Sequence, residues 1–79
     1  MINTQEKIKI ELKEKSLVIE YLPATDRTLY DICDLNGRIV QTGDISGPRT
    51  TVDTSALSPG SYILLILDGE MVTSRKFEI

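Results

Sequence analysis

The sequence holds no histidine, no tryptophan and a single cysteine, Cys33, in 79 residues. Without histidine, Cys/His metal sites and Cys–His or Ser–His nucleophilic pairs are excluded by counting, and one cysteine cannot form an intrachain disulfide. Long apolar runs are missing too. The longest, Tyr62 to Leu67, is far too short to cross a bilayer. Residues 1–16 alternate charge with Ile and Leu where an export signal needs a continuous apolar stretch. Nor is there an excess of positive charge: 9 Lys and Arg against 12 Asp and Glu give a net −3, with signs mixed along the chain. That composition argues against a nucleic-acid partner, which requires clustered basic residues. What is left is one small soluble domain, residues 1–79, with a modest core, no cofactor and no membrane insertion.

What is present is alternation of period two. Ile8, Ile10 and Leu12 flank Lys9 and Glu11, and after the polar turn Lys13–Glu14–Lys15 the pattern resumes at Leu17, Ile19 and Tyr21 until Pro23 and Asp26 break it. Thr28 to Leu35 and Arg38 to Thr42 flank Asn36–Gly37, a pair suited to a type I′ hairpin with positive φ at both positions. Arg49 to Asp53 reads as a short strand, and Asp53 to Leu57 as one capped turn that drops Leu57 into the core. Pro59 and Gly60 suit the centre of a type II turn. Ser61 to Leu67 and Glu70 to Ile79 flank a second hairpin signal, Asp68–Gly69. The expectation is an all-β fold: a small antiparallel immunoglobulin-like β-sandwich of about seven strands. Its core is expected to hold Ile10, Leu12, Leu17, Ile19, Tyr30, Ile32, Ile39, Val52, Leu57, Tyr62, Leu64, Ile66, Val72 and Phe77.

The candidate sites are few. Tyr62, Leu64 and Ile66 supply one face of the sixth strand, yet Ile63, Leu65 and Leu67 make the other face apolar as well. A strand buried on one side only would not read this way. That second face is either covered by a neighbouring element or exposed as a patch for a protein partner or a homodimer. Asn36, Gly37, Pro59 and Gly60 read as structural turn residues, and Tyr62 as a core aromatic whose hydroxyl bonds nearby backbone, like the corner tyrosines of sandwich folds. Asp31, Asp34 and Asn36 are too few and wrongly spaced for calcium, so no metal is expected, and Asp34 instead bonds backbone at the hairpin mouth. Cys33 reads as a buried small hydrophobe. Arg75 and Lys76 lie in the last strand, where charge protects an edge from unwanted pairing. No carboxylates converge in a cleft, and a sandwich of this size leaves little depth for a pocket of about 300 Å³, so an enzyme is not expected.

Three segments together carry a family resemblance: Asp34–Leu35–Asn36–Gly37–Arg38–Ile39–Val40, then Leu57–Ser58–Pro59–Gly60–Ser61–Tyr62–Ile63–Leu64, and finally Arg75–Lys76–Phe77–Glu78–Ile79. In this order and spacing they resemble the C-terminal sorting domain of the type IX (Por) secretion system of Bacteroidetes, over roughly Leu17 to Ile79. The resemblance implies a non-catalytic export tag on a larger protein, recognised by secretion-system proteins and delivered to the cell surface or secreted. It also implies that Arg75 and Lys76 belong to what is recognised. The same pattern is similar to small single-domain immunoglobulin-like proteins of Bacteroidetes. That alternative implies an autonomous sandwich that binds a partner or itself through Ile63, Leu65 and Leu67, and that is cytoplasmic if the frame begins at Met1.

Overall fold

The computed structural model describes residues 8–79. Residues 1–7, part of the expected domain and of the stretch read for an export signal, lie outside the described residues. Seven strands occur among the described residues, with no helix: β1 (Ile8–Lys13), β2 (Ser16–Tyr21), β3 (Thr28–Asp34), β4 (Ile39–Asp44), β5 (Arg49–Asp53), β6 (Ser61–Asp68) and β7 (Met71–Glu78). They form two antiparallel sheets, β1-β2-β5 and β4-β3-β6-β7. The sequence reading of a small all-β sandwich therefore holds.

The core lies between the sheets and is built by alternation. Leu17, Ile19 and Tyr21 of β2 face Tyr30, Ile32, Tyr62, Leu64 and Ile66 of β3 and β6, with Ile8, Ile45, Val52 and Phe77 completing the cluster. Each fully buried aliphatic chain contributes on the order of 2 kcal/mol of transfer free energy. Tyr62 and Phe77, directly opposite in the β6–β7 pairing, stack with ring centroids 5.8 Å apart. The Tyr62 hydroxyl donates to the Ser58 carbonyl at 2.6 Å, closing the corner four residues upstream as a tyrosine corner does.

Three expected core residues lie outside. Ile39 is 56% exposed because the ladder shifts register between Ile32 and Cys33, whose partners are Gln41 and Ile39. Val40 is the extra residue of this bulge; it packs on the core while Ile39 turns outward. Val72 is 63% exposed. It and Phe77 are five residues apart, so alternation puts them on opposite faces, and the inward positions of β7 are Thr73, Arg75 and Phe77. Along β1, burial fades from Ile8 at 1% through a partly buried Ile10 to Leu12 at 41%, next to the hairpin turn at the end of this edge strand. Conversely Ile8, Val18, Tyr21, Cys33 and Ile45 are buried without having been counted in the core.

The hairpin chemistry also differs from expectation in one place. Only Gly37 has positive φ (86°) in the β3–β4 turn, not Asn36. The Gly37 N–H bonds the Asp34 carbonyl, the Asp34 N–H bonds the Arg38 carbonyl, and Gly37 occupies the left-handed position that closes the loop. This is the three-residue loop with a type I turn and a glycine bulge, not the two-residue type I′ form. Asp34 supplies the reason: its Oδ1 accepts the N–H groups of Asn36 and Arg38, which favours the Asx geometry. Gly60 has φ 153°, far from the roughly 80° of a type II turn. It instead extends the β6–β7 ladder, exchanging two backbone bonds with Ile79 at 3.0 and 2.8 Å.

Gly43 lies directly opposite Tyr30, and a Cβ there would stand 2.6 Å from the Tyr30 ring. The ring is buried and cannot swing clear. Gly43→Ala is therefore expected to cost about 1–3 kcal/mol in urea unfolding, with the m-value unchanged; an unchanged midpoint would contradict this packing.

Candidate functional site: the outer face of the four-stranded sheet

The two outer faces of the sandwich differ in kind. On the three-stranded sheet, Lys9, Glu11 and Lys13 of β1, Glu20 of β2, and Arg49 and Asp53 of β5 face outward and shield Val18, with Arg49 paired to Glu20 at 3.6 Å. On the four-stranded sheet, β6 is central, flanked by β3 and β7. Its outward residues Ile63, Leu65 and Leu67 are half-buried, by their in-sheet neighbours. Register arranges the outward side chains in three rows across β3, β6 and β7: Leu29–Leu67–Val72, Asp31–Leu65–Ser74 and Cys33–Ile63–Lys76. Leu29 is 44% exposed and Val72 63%, so the first row is apolar and open to solvent.

Arg75 and Lys76, adjacent in sequence, point to opposite faces. Lys76 is exposed on the outer face beside Ile63. Arg75 points inward, half-buried, and its Nη2 donates to the Ile8 carbonyl at 2.8 Å. It thereby ties β7, at the edge of one sheet, to β1, at the edge of the other. The two basic residues are not one patch.

Asp31 and Asp34 are separately engaged. Asp31 Oδ1 accepts the Thr42 hydroxyl at 2.8 Å, while Asp34 caps the hairpin and pairs with Arg38 at 3.5 Å. Among the described residues, no group of three or more His, Cys, Asp or Glu could hold a metal ion. Cys33 is buried on the outer face; burial first, then the charges of Asp31 and Asp34, push its thiol pKa up and keep the thiol protonated. Surface depressions of about 460 and 330 Å³ exceed the size expected for this fold. The larger is lined by Asp26, Arg27, Thr28, Leu29, Asp44, Ile45 and Ser46, a mixed polar and apolar set.

The sequence reading passed over Asp68, treating it only as a hairpin signal. It is 2% exposed, and its carboxylate accepts five hydrogen bonds. Oδ2 takes the Tyr21 hydroxyl and the Ala24 N–H, both at 2.7 Å; Oδ1 takes the Thr25 N–H at 3.0 Å and the hydroxyls of Thr25 and Thr28 at 2.8 and 2.9 Å. The Ala24 N–H above all, then Tyr21, and lastly the two threonines against the opposing effect of burial, hold this carboxyl well below the usual range. Burial first, and then the bond to and charge of Asp68, push Tyr21 up to about 12. The available signal was Tyr21-x-x-Ala24-Thr25-x-x-Thr28, a run of hydroxyl donors bracketing the break in alternation at Pro23.

A family model described as secretion system C-terminal sorting domain matches residues 3–79. No curated protein matches the chain.

The Asp68 cluster sets the pH range of the fold. A depressed folded pKa means that Asp68 stabilises fully above about pH 4 and loses that effect as pH falls through its folded value. Tyr21, raised from 10.0 to about 12, acts in the opposite sense: its contribution is full below pH 10 and is lost as pH rises through 12. Melting curves are expected to be flat near neutrality and to fall on both sides. Asp68→Asn should lower the neutral Tm by on the order of 10 °C and shrink the acid limb, and Tyr21→Phe should shrink the alkaline limb. Unaltered limbs in both variants would refute the assignment.

Proposed function

This chain belongs to the family of type IX secretion C-terminal sorting domains, and we propose from that membership that its folded sandwich is the address by which a larger protein is exported to the cell surface. The match across residues 3–79 carries this reading. The domain does no chemistry in it. Proteins of the secretion machinery read the folded surface, and the passenger follows.

The geometry supports a rigid, folded signal over a linear one. The last residue is fastened on both sides, its N–H and carbonyl bonded to Gly60. The segments that carry the family pattern are each engaged in the fold: the Asp34–Val40 hairpin by the Asp34 cap, the Leu57–Leu64 corner by the Tyr62 hydroxyl, and the last strand by Arg75 on Ile8. A reader that touches the exterior then meets Lys76 and not Arg75. The two substitutions are expected to separate. Lys76→Ala should reduce recognition and leave the fold intact, whereas Arg75→Ala should act through stability, by about 1.5–3 kcal/mol for a charged donor to a carbonyl.

The direct test fuses the chain behind a signal peptide and an unrelated passenger in a bacterium that has the type IX system. Surface delivery of the passenger, assayed by protease accessibility on whole cells, is expected with the domain and not without it. A passenger held in the periplasm with the domain attached would sink the reading.

A further inference from the structure

We propose that Asn36 is a modification site gated by folding: its carboxamide converts to a carboxylate through a cyclic imide only while the β3–β4 hairpin is open, so that conversion there records the time the domain spends unfolded or locally opened. The chemistry is independent of the sorting reading.

The reacting groups are neighbours in the sequence. Asn36–Gly37 is the only Asn–Gly pair in the chain, and a glycine has no side chain to hinder its own nitrogen. In an open chain the Gly37 N–H loses its proton to solvent base and the nitrogen attacks Asn36 Cγ. The Cγ–Nδ2 bond then breaks, and Nδ2 leaves as ammonia, carrying the proton away. Water opens the imide at one of its two carbonyls: opening at Cγ leaves aspartate, and opening at the backbone carbonyl leaves isoaspartate, with Cβ and Cγ now in the main chain. An amide and a water become an acid and ammonia, and nothing is oxidised or reduced.

The folded hairpin withholds this reaction by geometry and not by burial. Asn36 and Gly37 are exposed at the loop tip, and among the described residues none bonds the Asn36 carboxamide. The nucleophile is engaged instead: the Gly37 N–H donates to the Asp34 carbonyl at 3.0 Å, a bond that must break before the nitrogen can turn on Cγ. Asn36 fills the second central position of the type I turn, where ψ is about 0° and Cβ therefore stands about 120° from the Gly37 nitrogen around the Cα–C bond. A five-membered ring needs these two eclipsed, so it cannot close until the turn unwinds. Asp34 is the latch, its Oδ1 accepting the Asn36 N–H at 2.9 Å and the Arg38 N–H at 3.0 Å. Reaction in the open state also spoils reclosure, because either product sets a second carboxylate near that of Asp34 and isoaspartate lengthens the main chain of a tight loop. The other pair of this type, Asp68–Gly69, carries an ionised carboxylate held by five hydrogen bonds and offers no leaving group.

The test incubates the full chain at mildly alkaline pH, native and in urea above its unfolding midpoint, and follows the Asn36 peptide by the unit mass gain of amide-to-acid conversion. Asp34→Ala and Asp34→Ser, the second keeping an oxygen that can accept, are run alongside, and the Tm of each is measured. The expected result is a native wild type that reacts roughly tenfold or more slowly than the unfolded chain, with folded Asp34→Ala faster than wild type and folded Asp34→Ser between them. Native wild type reacting as fast as the unfolded chain would overturn the gate, whether or not the variants fold. An unfolded chain that does not convert at Asn36 would overturn the site itself. Folded Asp34 variants that react no faster than wild type would overturn Asp34 as the latch.

Discussion

One buried carboxylate joins parts of this fold that lie forty or more residues apart in the chain. Asp68 ends β6, the central strand of the larger sheet, yet its donors come from the end of β2, the crossover after it and the start of β3. The crossover from one sheet to the other therefore closes on a charge with its lone pairs occupied. A buried ion is stable only under that condition, since an unpaired one carries a large desolvation cost. The β6–β7 hairpin is seated by the same group: Gly69 follows Asp68 directly, adopts positive φ (62°), and lies close to Thr25, where a Cβ would stand 3.2 Å from the Thr25 methyl.

With the two sheets fixed in this way, the exteriors can differ. The three-stranded sheet presents ion pairs and charge, which need only water. The four-stranded sheet presents aliphatic side chains on its central strand and places Asp31 and Lys76 on the two neighbouring strands. The position of β6 explains the difference in part: a central strand, hydrogen-bonded on both edges, can carry apolar residues on both faces without offering an edge for aggregation. The edge strand β7 carries the charges instead. Arg75 closes the sandwich mouth, and Lys76 faces out beside the apolar rows.

Much of this was legible in the sequence, and what was not has identifiable physical causes. Alternation, hairpin signals and β-prone composition located all seven strands, and Tyr62 was read as an aromatic whose hydroxyl bonds nearby backbone, as it does at Ser58. Alternation failed where one extra residue intervened: the bulge at Val40 reverses the facing of Ile39, and nothing in the local composition announces it. Val72 was misplaced because an apolar residue on an edge strand was assumed to face inward, although Phe77 already fixed the opposite parity. Asp68 was missed because its partners lie forty or more residues away, where only the closed fold brings them together. The separation of Arg75 from Lys76 was in principle readable from parity alone, but which face was inward depended on that same assignment of β7.

The account stands on the claim that a folded surface, and not a linear sequence, is the signal. The most direct measurement is delivery of a passenger bearing Asp68→Ala. That change removes the shared acceptor of five bonds and leaves the outer-face residues, the hairpin motif and the last strand unaltered in sequence. If the variant is unfolded by circular dichroism and its passenger is retained, the surface is what the machinery reads. Delivery at the wild-type level by an unfolded Asp68→Ala chain would contradict the account.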